Sequence, residues 1–335
     1  MNESTTRRKS ARRISRRFLV AAIAGTAAFG TVAGGAPNYP TRPIRLFVPY
    51  GPGGVGDLTM RILADKASEQ LKQQFVIENR PGAGGILAMT QVLRASADGY
   101  TLGEVGNGQA ISASLFKTIP FNVLRDFIPI SVAASFDILL AVPGDSAHKS
   151  LKDIVDAAKK SPGKLNLGAI NPGSTQNLSA YLFQQATGAD YAIVTYRTTP
   201  ELVTALLRGE VDLGFDYYAG LSAELGDGKL RIVATSGEER DPLLNDVPTA
   251  KESGFPQYVV RGWNGIAARA GTPPEVLQTL NASISRALAA PDLQEKTRRL
   301  GMTARGSTSQ EMRDRLAGDI VKWREVIDKA GIPRQ

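Results

Sequence analysis

Apolar residues in this chain fall in short blocks. Runs of strand character occur at 44–48, 75–78, 101–105, 128–132 and 138–142, and again at 165–169, 192–196, 211–215, 230–234 and 259–267. They have strand length and are mostly bounded by Gly, Pro, Asn, Asp or Ser. Between most of them the apolar positions take a helical spacing. Leu58, Ile62 and Leu71 share one such segment, Leu178, Leu182 and Phe183 another. Strand alternating with helix predicts an α/β fold built on parallel sheets.

Several boundaries carry their own signals. Ser150-Leu-Lys-Asp153 is a capping-box pattern, and Ser161-Pro162-Gly163 stops the helix it opens. Thr272-Pro-Pro-Glu275 opens another, with proline in its tolerated first turn. A last helix is expected from near Thr308 to just before Gly331. Its Met312, Leu316, Ile320, Trp323 and Ile327 form one stripe, a packing face. The long extended stretch 128–142 leads from a first group of βα units into a second, and 259–267 leads back. Two crossings predict two lobes: residues 38–138 with 260–335, and residues 139–259.

Charge changes the picture at one end only. The chain has 335 residues and a net charge of +8, but residues 1–36 hold seven Lys/Arg and one acid. The rest holds 33 basic and 31 acidic residues. With no basic stripe in the folded part, nucleic acid is not an expected partner. A basic region ending at Arg17, an apolar stretch 18–29 and the small residues Gly34, Gly35 and Ala36 predict an export signal over residues 1–36. Arg16-Arg17 followed by Phe18-Leu19 resembles a twin-arginine signal, although Phe18 follows the pair directly; an ordinary secretory signal is the other reading. There is no cysteine, hence no disulfide and no lipidated N-terminal cysteine. The expected compartment is the periplasm.

The candidate chemistry lies in "VPYGPGGVGDLTMRILAD", residues 48–65. Gly51, Gly53 and Gly56 spell G-x-G-x-x-G between a strand and a helix, and Glu78 follows 22 residues after Gly56. That is the pattern of a dinucleotide fingerprint. It is equally a general anion loop, since glycines let backbone N–H groups approach a ligand at a helix N-terminus. Pro49 and Pro52 stiffen the turn, and Asp57 is expected as the helix N-cap, a poor neighbour for pyrophosphate. A second glycine loop, "NRPGAGG" at 79–85, precedes a helix over 86–95. Two helix N-termini could converge on one small anion.

"YGPGGVGDLTMR" followed by "ENRPGAGG" resembles the solute receptors of tripartite tricarboxylate transporters, the Bug family. Gly53, Gly54, Asp57 and Arg61 match the family pattern, with Met60 where alanine is usual. The likeness continues through "DGYTLGEVGNG", "TALLRGEVDLGFDY", "DVPTAKESGFP", "AGTPPEVLQTLNASISRAL" and "KWREVIDKAGI", essentially the whole chain after the signal. The resemblance implies a two-lobe periplasmic-binding-protein fold of type II, a Venus flytrap with a hinged cleft. It implies a small carboxylate ligand: a di- or tricarboxylate, an acidic amino acid or an aromatic acid. The candidate ligand-binding residues are Tyr50, Gly53, Gly54, Asp57, Ala83, Gly84, Asn107 and Gln109 in the first lobe. In the second they are Ser174, Thr175, Asn177, Tyr196, Thr198 and Asp216. Asn177 stands where many members have histidine, and Thr198-Thr199 replace a frequent Gly-Gly. The implied partners are membrane permease subunits or a sensor kinase; no metal or cofactor is implied, and a monomer is expected.

Other residues weigh little as chemistry. Ser174 would need a base to act as a nucleophile, and the one histidine, His148, reads as a surface residue. Asp216 is expected just beyond a strand and Asp212 at a solvated turn. Tyr217 and Tyr218 suit cleft lining and packing equally, and Trp263 suits hinge packing. Two classes stay open: a receptor without catalysis, and an exported α/β enzyme or nucleotide-binding protein that uses the glycine loop.

Overall fold

The computed structural model describes residues 39–335; the export signal expected over residues 1–36 lies outside them. Three βα units open the fold. They are β1 (Ile44–Val48) with α1 (Val55–Leu71), β2 (Phe75–Asn79) with α2 (Ile86–Arg94), and β3 (Thr101–Gly106) with α3 (Asn107–Leu115). The 17-residue strand β4 (Phe127–Pro143) follows. Next come α4 (Leu151–Lys160), β5 (Asn166–Ile170), α5 (Thr175–Thr187), β6 (Ala192–Tyr196), α6 (Thr199–Leu207), β7 (Leu213–Tyr217), α7 (Tyr218–Gly226) and β8 (Leu230–Thr235). The chain returns through β9 (Arg261–Arg269) and ends in α8 (Pro274–Leu288), α9 (Pro291–Arg298), the short β10 (Thr303–Ala304) and α10 (Ser309–Lys329).

The sheet order is β2-β1-β3-β9-β4-β7-β5-β6, with β8 and β10 also on β4. β1 is parallel to β2 and β3, and β5 is parallel to β6 and β7. β9 and β4 run antiparallel to their neighbours. β4 changes partners along its length: residues 127–137 pair with β9, and residues 138–143 with β7 and β8. The two strand runs read at 128–132 and 138–142 are therefore one strand. Pro129 is accommodated because the register shifts there, so no ladder bond is demanded of its missing N–H.

Helices cover the sheet with the faces the pattern marked. Met60, Leu63, Ala64 and Ala67 of α1 pack on Ile44, Leu46 and Val48, together with Leu280 and Ile284 of α8. Met312, Leu316, Trp323 and Ile327 of α10 are buried in the cluster that also holds Phe47, Val105 and Leu115, with Ile320 packed at its edge. Leu202, Val203 and Leu206 of α6 pack on Leu139 and Ala141.

Three local expectations need correction. The N-cap of α1 is Gly54, with Asp57 one turn in, because Asp57 spends its carboxylate on the loop. β7 starts two residues later than read and contains Asp216. Asp212 is no free turn residue, since its carboxylate accepts the Asn166 N–H at 2.7 Å and ties β5 to the start of β7.

Candidate functional site

Every candidate residue lies at or just beyond the carboxyl end of a parallel strand. Tyr50 to Asp57 follow β1, Ala83 and Gly84 follow β2, and Asn107 and Gln109 open α3 after β3. Ser174, Thr175 and Asn177 follow β5, Tyr196 ends β6 with Thr198 beyond it, and Asp216 is the penultimate residue of β7. In open α/β sheets that edge is where ligands bind.

The β1–α1 loop is braced from inside. Asp57, 1% exposed, accepts the Gly53 N–H and Arg61 Nε, both at 2.9 Å, and Asn79 Nδ2 at 2.8 Å. The same Asn79 amide donates to the Tyr50 carbonyl at 2.9 Å. Burial pushes the Asp57 carboxyl up, but the hydrogen bonds from Arg61, Asn79 and Gly53 outweigh it and hold the group below its ordinary range. Asp57 is thus the strut of the glycine loop. At the start of α1 no side chain caps the helix, and among the described residues the N–H groups of Gly54, Val55, Gly56 and Asp57 have no hydrogen-bond partner. These are orphan donors at the positive end of a helix dipole.

Glu78, which the dinucleotide pattern would assign to a ribose, is engaged elsewhere. Its carboxylate accepts Arg45 Nε at 2.6 Å and Arg45 Nη2 at 3.1 Å.

The second glycine loop is a single 3-10 turn, Ala83–Gly85, with positive φ at Gly82, Ala83, Gly84 and Gly85. Ala83 at φ 47° is a non-glycine residue held in the left-handed region. Gly84 at φ 59° is required twice over, because a Cβ there would strike the Ser112 hydroxyl, which donates to the Gly84 carbonyl at 2.7 Å. Successive residues of this kind turn N–H groups into a concavity suited to an anion. From α3, Gln109 closes its own helix start, accepting the Gly106 N–H at 2.8 Å, and the Asn107 side chain accepts the Trp263 N–H at 2.9 Å.

The residues after β5, β6 and β7 are likewise interlocked. Asn177, 5% exposed, accepts the Gly173 N–H at 3.0 Å and donates to Thr195 Oγ1 at 3.1 Å. Ser174 caps α5 on the Asn177 N–H, and Thr198 caps α6 on the Glu201 N–H. Asp216, 2% exposed, accepts Thr199 Oγ1 at 2.6 Å, the Tyr217 N–H at 2.8 Å and Gln176 Nε2 at 3.1 Å. Burial pushes its carboxyl up in spite of these three donors.

The two loop sets approach one another. A Cβ on Gly173 would strike Leu115 of α3. Tyr50 as a residue is 37% exposed, but burial around its hydroxyl, with Glu104 and Tyr217 adding to the effect, pushes that group above the tyrosine range. Tyr217 stacks edge-on with Phe136 of β4 at 4.7 Å. Trp263 is buried in β9 and donates to Asp319 at 2.6 Å, as packing between β9 and α10.

The candidate set left out Asn79, Gln176, Thr195 and Thr199, which hold the loops, and the buried Glu104 and Asn264. A carboxylate inside "TLGEVG" and an amide inside "GWNGIAA" were the available signals. Polar residues at inward positions of apolar strands need partners.

Comparison with known proteins matches residues 59–332 to the tripartite tricarboxylate transporter family receptor. Among solved structures, the chain is similar to Rpa4515 of Rhodopseudomonas palustris with adipate, at TM-score 0.79 and 32% identity, covering 88% of this chain and 99% of that one. It is similar to the periplasmic binding protein BugD, at TM-score 0.77 and 30% identity, covering 89% and 100%. MatC of R. palustris with bound malate matches at TM-score 0.74 and 29% identity, covering 86% and 100%. The chain adopts the two-lobe α/β fold of periplasmic binding proteins and belongs to the tripartite tricarboxylate transporter receptor family.

Proposed function

We propose that this protein is a periplasmic receptor, without catalytic activity, that captures a small organic carboxylate between the two loop sets. The observation that carries the reading is the start of α1, where N–H groups without a partner among the described residues stand beside a loop locked by Asp57. A carboxylate is charge-complementary to that helix end and small enough to lie within one or two loops. Relatives of 32% and 29% identity hold adipate and malate, which supports this ligand class. In this reading the first lobe is residues 38–138 with 260–335 and the second is 139–259. The first-lobe loops grip one carboxylate, and Ser174, Thr175, Tyr196 and Thr198 set the shape of the far end.

The protein is exported with loss of about the first 36 residues, acts as a monomer, and hands its closed, loaded form to membrane permease subunits of a tripartite carrier. A sensor kinase is the alternative recipient. A thermal-shift screen of organic acids tests the ligand class, since a ligand of the folded state raises the midpoint by mass action. A rise with carboxylates and none with NAD is expected. N-terminal sequencing of protein from the periplasm tests the export step, and full-length protein retained in the cytoplasm would contradict it.

A further inference from the structure

Glu104 and Asn264 lie on the adjacent antiparallel strands β3 and β9, Glu104 opposite Ile266 and Asn264 opposite Gly106. Two residues apart along the ladder, they share one face of the sheet. That face ends beneath the first turn of α1: a Cβ on Gly56 would sit 3.1 Å from Glu104 Oε1 and collide with the ring of Tyr50. Both residues are 1% exposed. Glu104 Oε2 and both amide atoms of Asn264 make no hydrogen bond of good geometry, although the Asn264 amide is near enough to Glu104 to act on its carboxyl. Buried polar groups are ordinarily satisfied, and leaving one without a partner costs about 1–3 kcal/mol. Two such groups side by side, under the loop that carries the orphan N–H donors, mark a place built to receive another polar group.

We propose that Glu104 and Asn264 form the floor of the ligand site, where Glu104 keeps its proton and donates a hydrogen bond to an oxygen of the bound carboxylate. This rests on the carboxylate-receptor reading and adds to it a coupling between ligand and proton. The charged neighbour that acts on Glu104 is Asp57 from α1, of like sign; Tyr50 from the β1–α1 loop and Tyr217 from β7 are the titratable hydroxyls nearby. Burial first, and Asp57 second, push the Glu104 carboxyl up to about 8, against the opposing Asn264 amide. An ionised Glu104 would set a third anion beside Asp57 and the ligand. A neutral one offers the O–H that a carboxylate oxygen can accept. Burial raises both tyrosines, so they stay protonated across the same range.

The test is calorimetric titration of the protein with adipate and with malate from pH 6 to pH 9.5, in two buffers of different ionisation heat. For the unaltered protein we expect affinity to fall about tenfold per pH unit above about 8, with buffer-dependent heat showing proton uptake on binding. In Glu104→Gln the ratio of affinities at pH 6 and pH 9.5 should collapse toward one. Glu104→Leu, which cannot donate, should weaken binding at pH 6 by about tenfold. Affinity that is flat to pH 9.5, or that falls equally in Glu104→Gln, overturns the inference while leaving the carboxylate reading intact. Affinity that rises with pH overturns it, since binding would then favour an ionised Glu104. Failure of adipate, malate and every acid of the thermal-shift screen to bind at pH 6 overturns the carboxylate reading and this inference with it.

Discussion

Asp57 shows how a single side chain can decide what a glycine loop does. Its carboxylate consumes the Gly53 N–H that a pyrophosphate loop would present, and it anchors Arg61 and Asn79 as well. Asp57→Ala would strand three donors around a buried site. We expect a loss of about 3 kcal/mol in urea unfolding at pH 7, together with loss of ligand binding. The pH dependence follows from its lowered carboxyl. That stabilisation is complete above the unfolded-chain value of about 3.9 and disappears as pH falls through the lower folded value. The unaltered protein should therefore lose more stability between pH 5 and pH 3 than Asp57→Ala does. Glu104 acts with the opposite sign. Folded chains hold its proton up to about 8, whereas unfolded chains release it near the ordinary 4.5. Its contribution to stability thus declines as pH rises between those values, and the Glu104→Gln stability profile should be flatter there.

At the scale of elements, the start of α1 separates fold from function. Gly54 is its N-cap at φ −75°, in extended backbone that any residue adopts, and the nearest atom to an added Cβ is the Gly51 carbonyl at 3.9 Å. Aspartate fits that position and is among the best N-caps. Gly54→Asp should therefore keep the fold, with stability changed by about 1 kcal/mol or less, while its carboxylate occupies the orphan N–H groups and repels the ligand. Circular-dichroism melting paired with ligand titration checks this, and a variant that still binds would place the ligand elsewhere. The glycine loops were legible because glycine and proline punctuate the chain locally. Their bracing was not: Asp57 meets Asn79 across 22 residues, and Asp216 meets Gln176 across 40. Such pairs exist only once the strands are ordered side by side. Strand β4 was read as an extended crossing from its run of apolar residues, but its change of partners near residue 137 depends on the sheet as a whole.

Across the whole molecule, β4 and β9 are the extended crossings between the β1–β3 and β5–β8 groups. Near the crossing, Asp137 lies 3.6 Å from Arg261, and Ser236 takes the Ile138 N–H at 2.8 Å. If these strands serve as the hinge, ligand should draw the two groups of loops together. Small-angle scattering should then report a smaller radius of gyration at saturating carboxylate, and an unchanged radius would contradict closure. The central claim is that the braced glycine loop binds a carboxylate rather than a nucleotide. Isothermal titration calorimetry of one preparation at pH 6 against adipate, malate, succinate, citrate, glutamate, an aromatic acid and NAD addresses it directly. Heat of binding with at least one of the acids and none with NAD is the predicted result; heat with NAD alone would contradict the account.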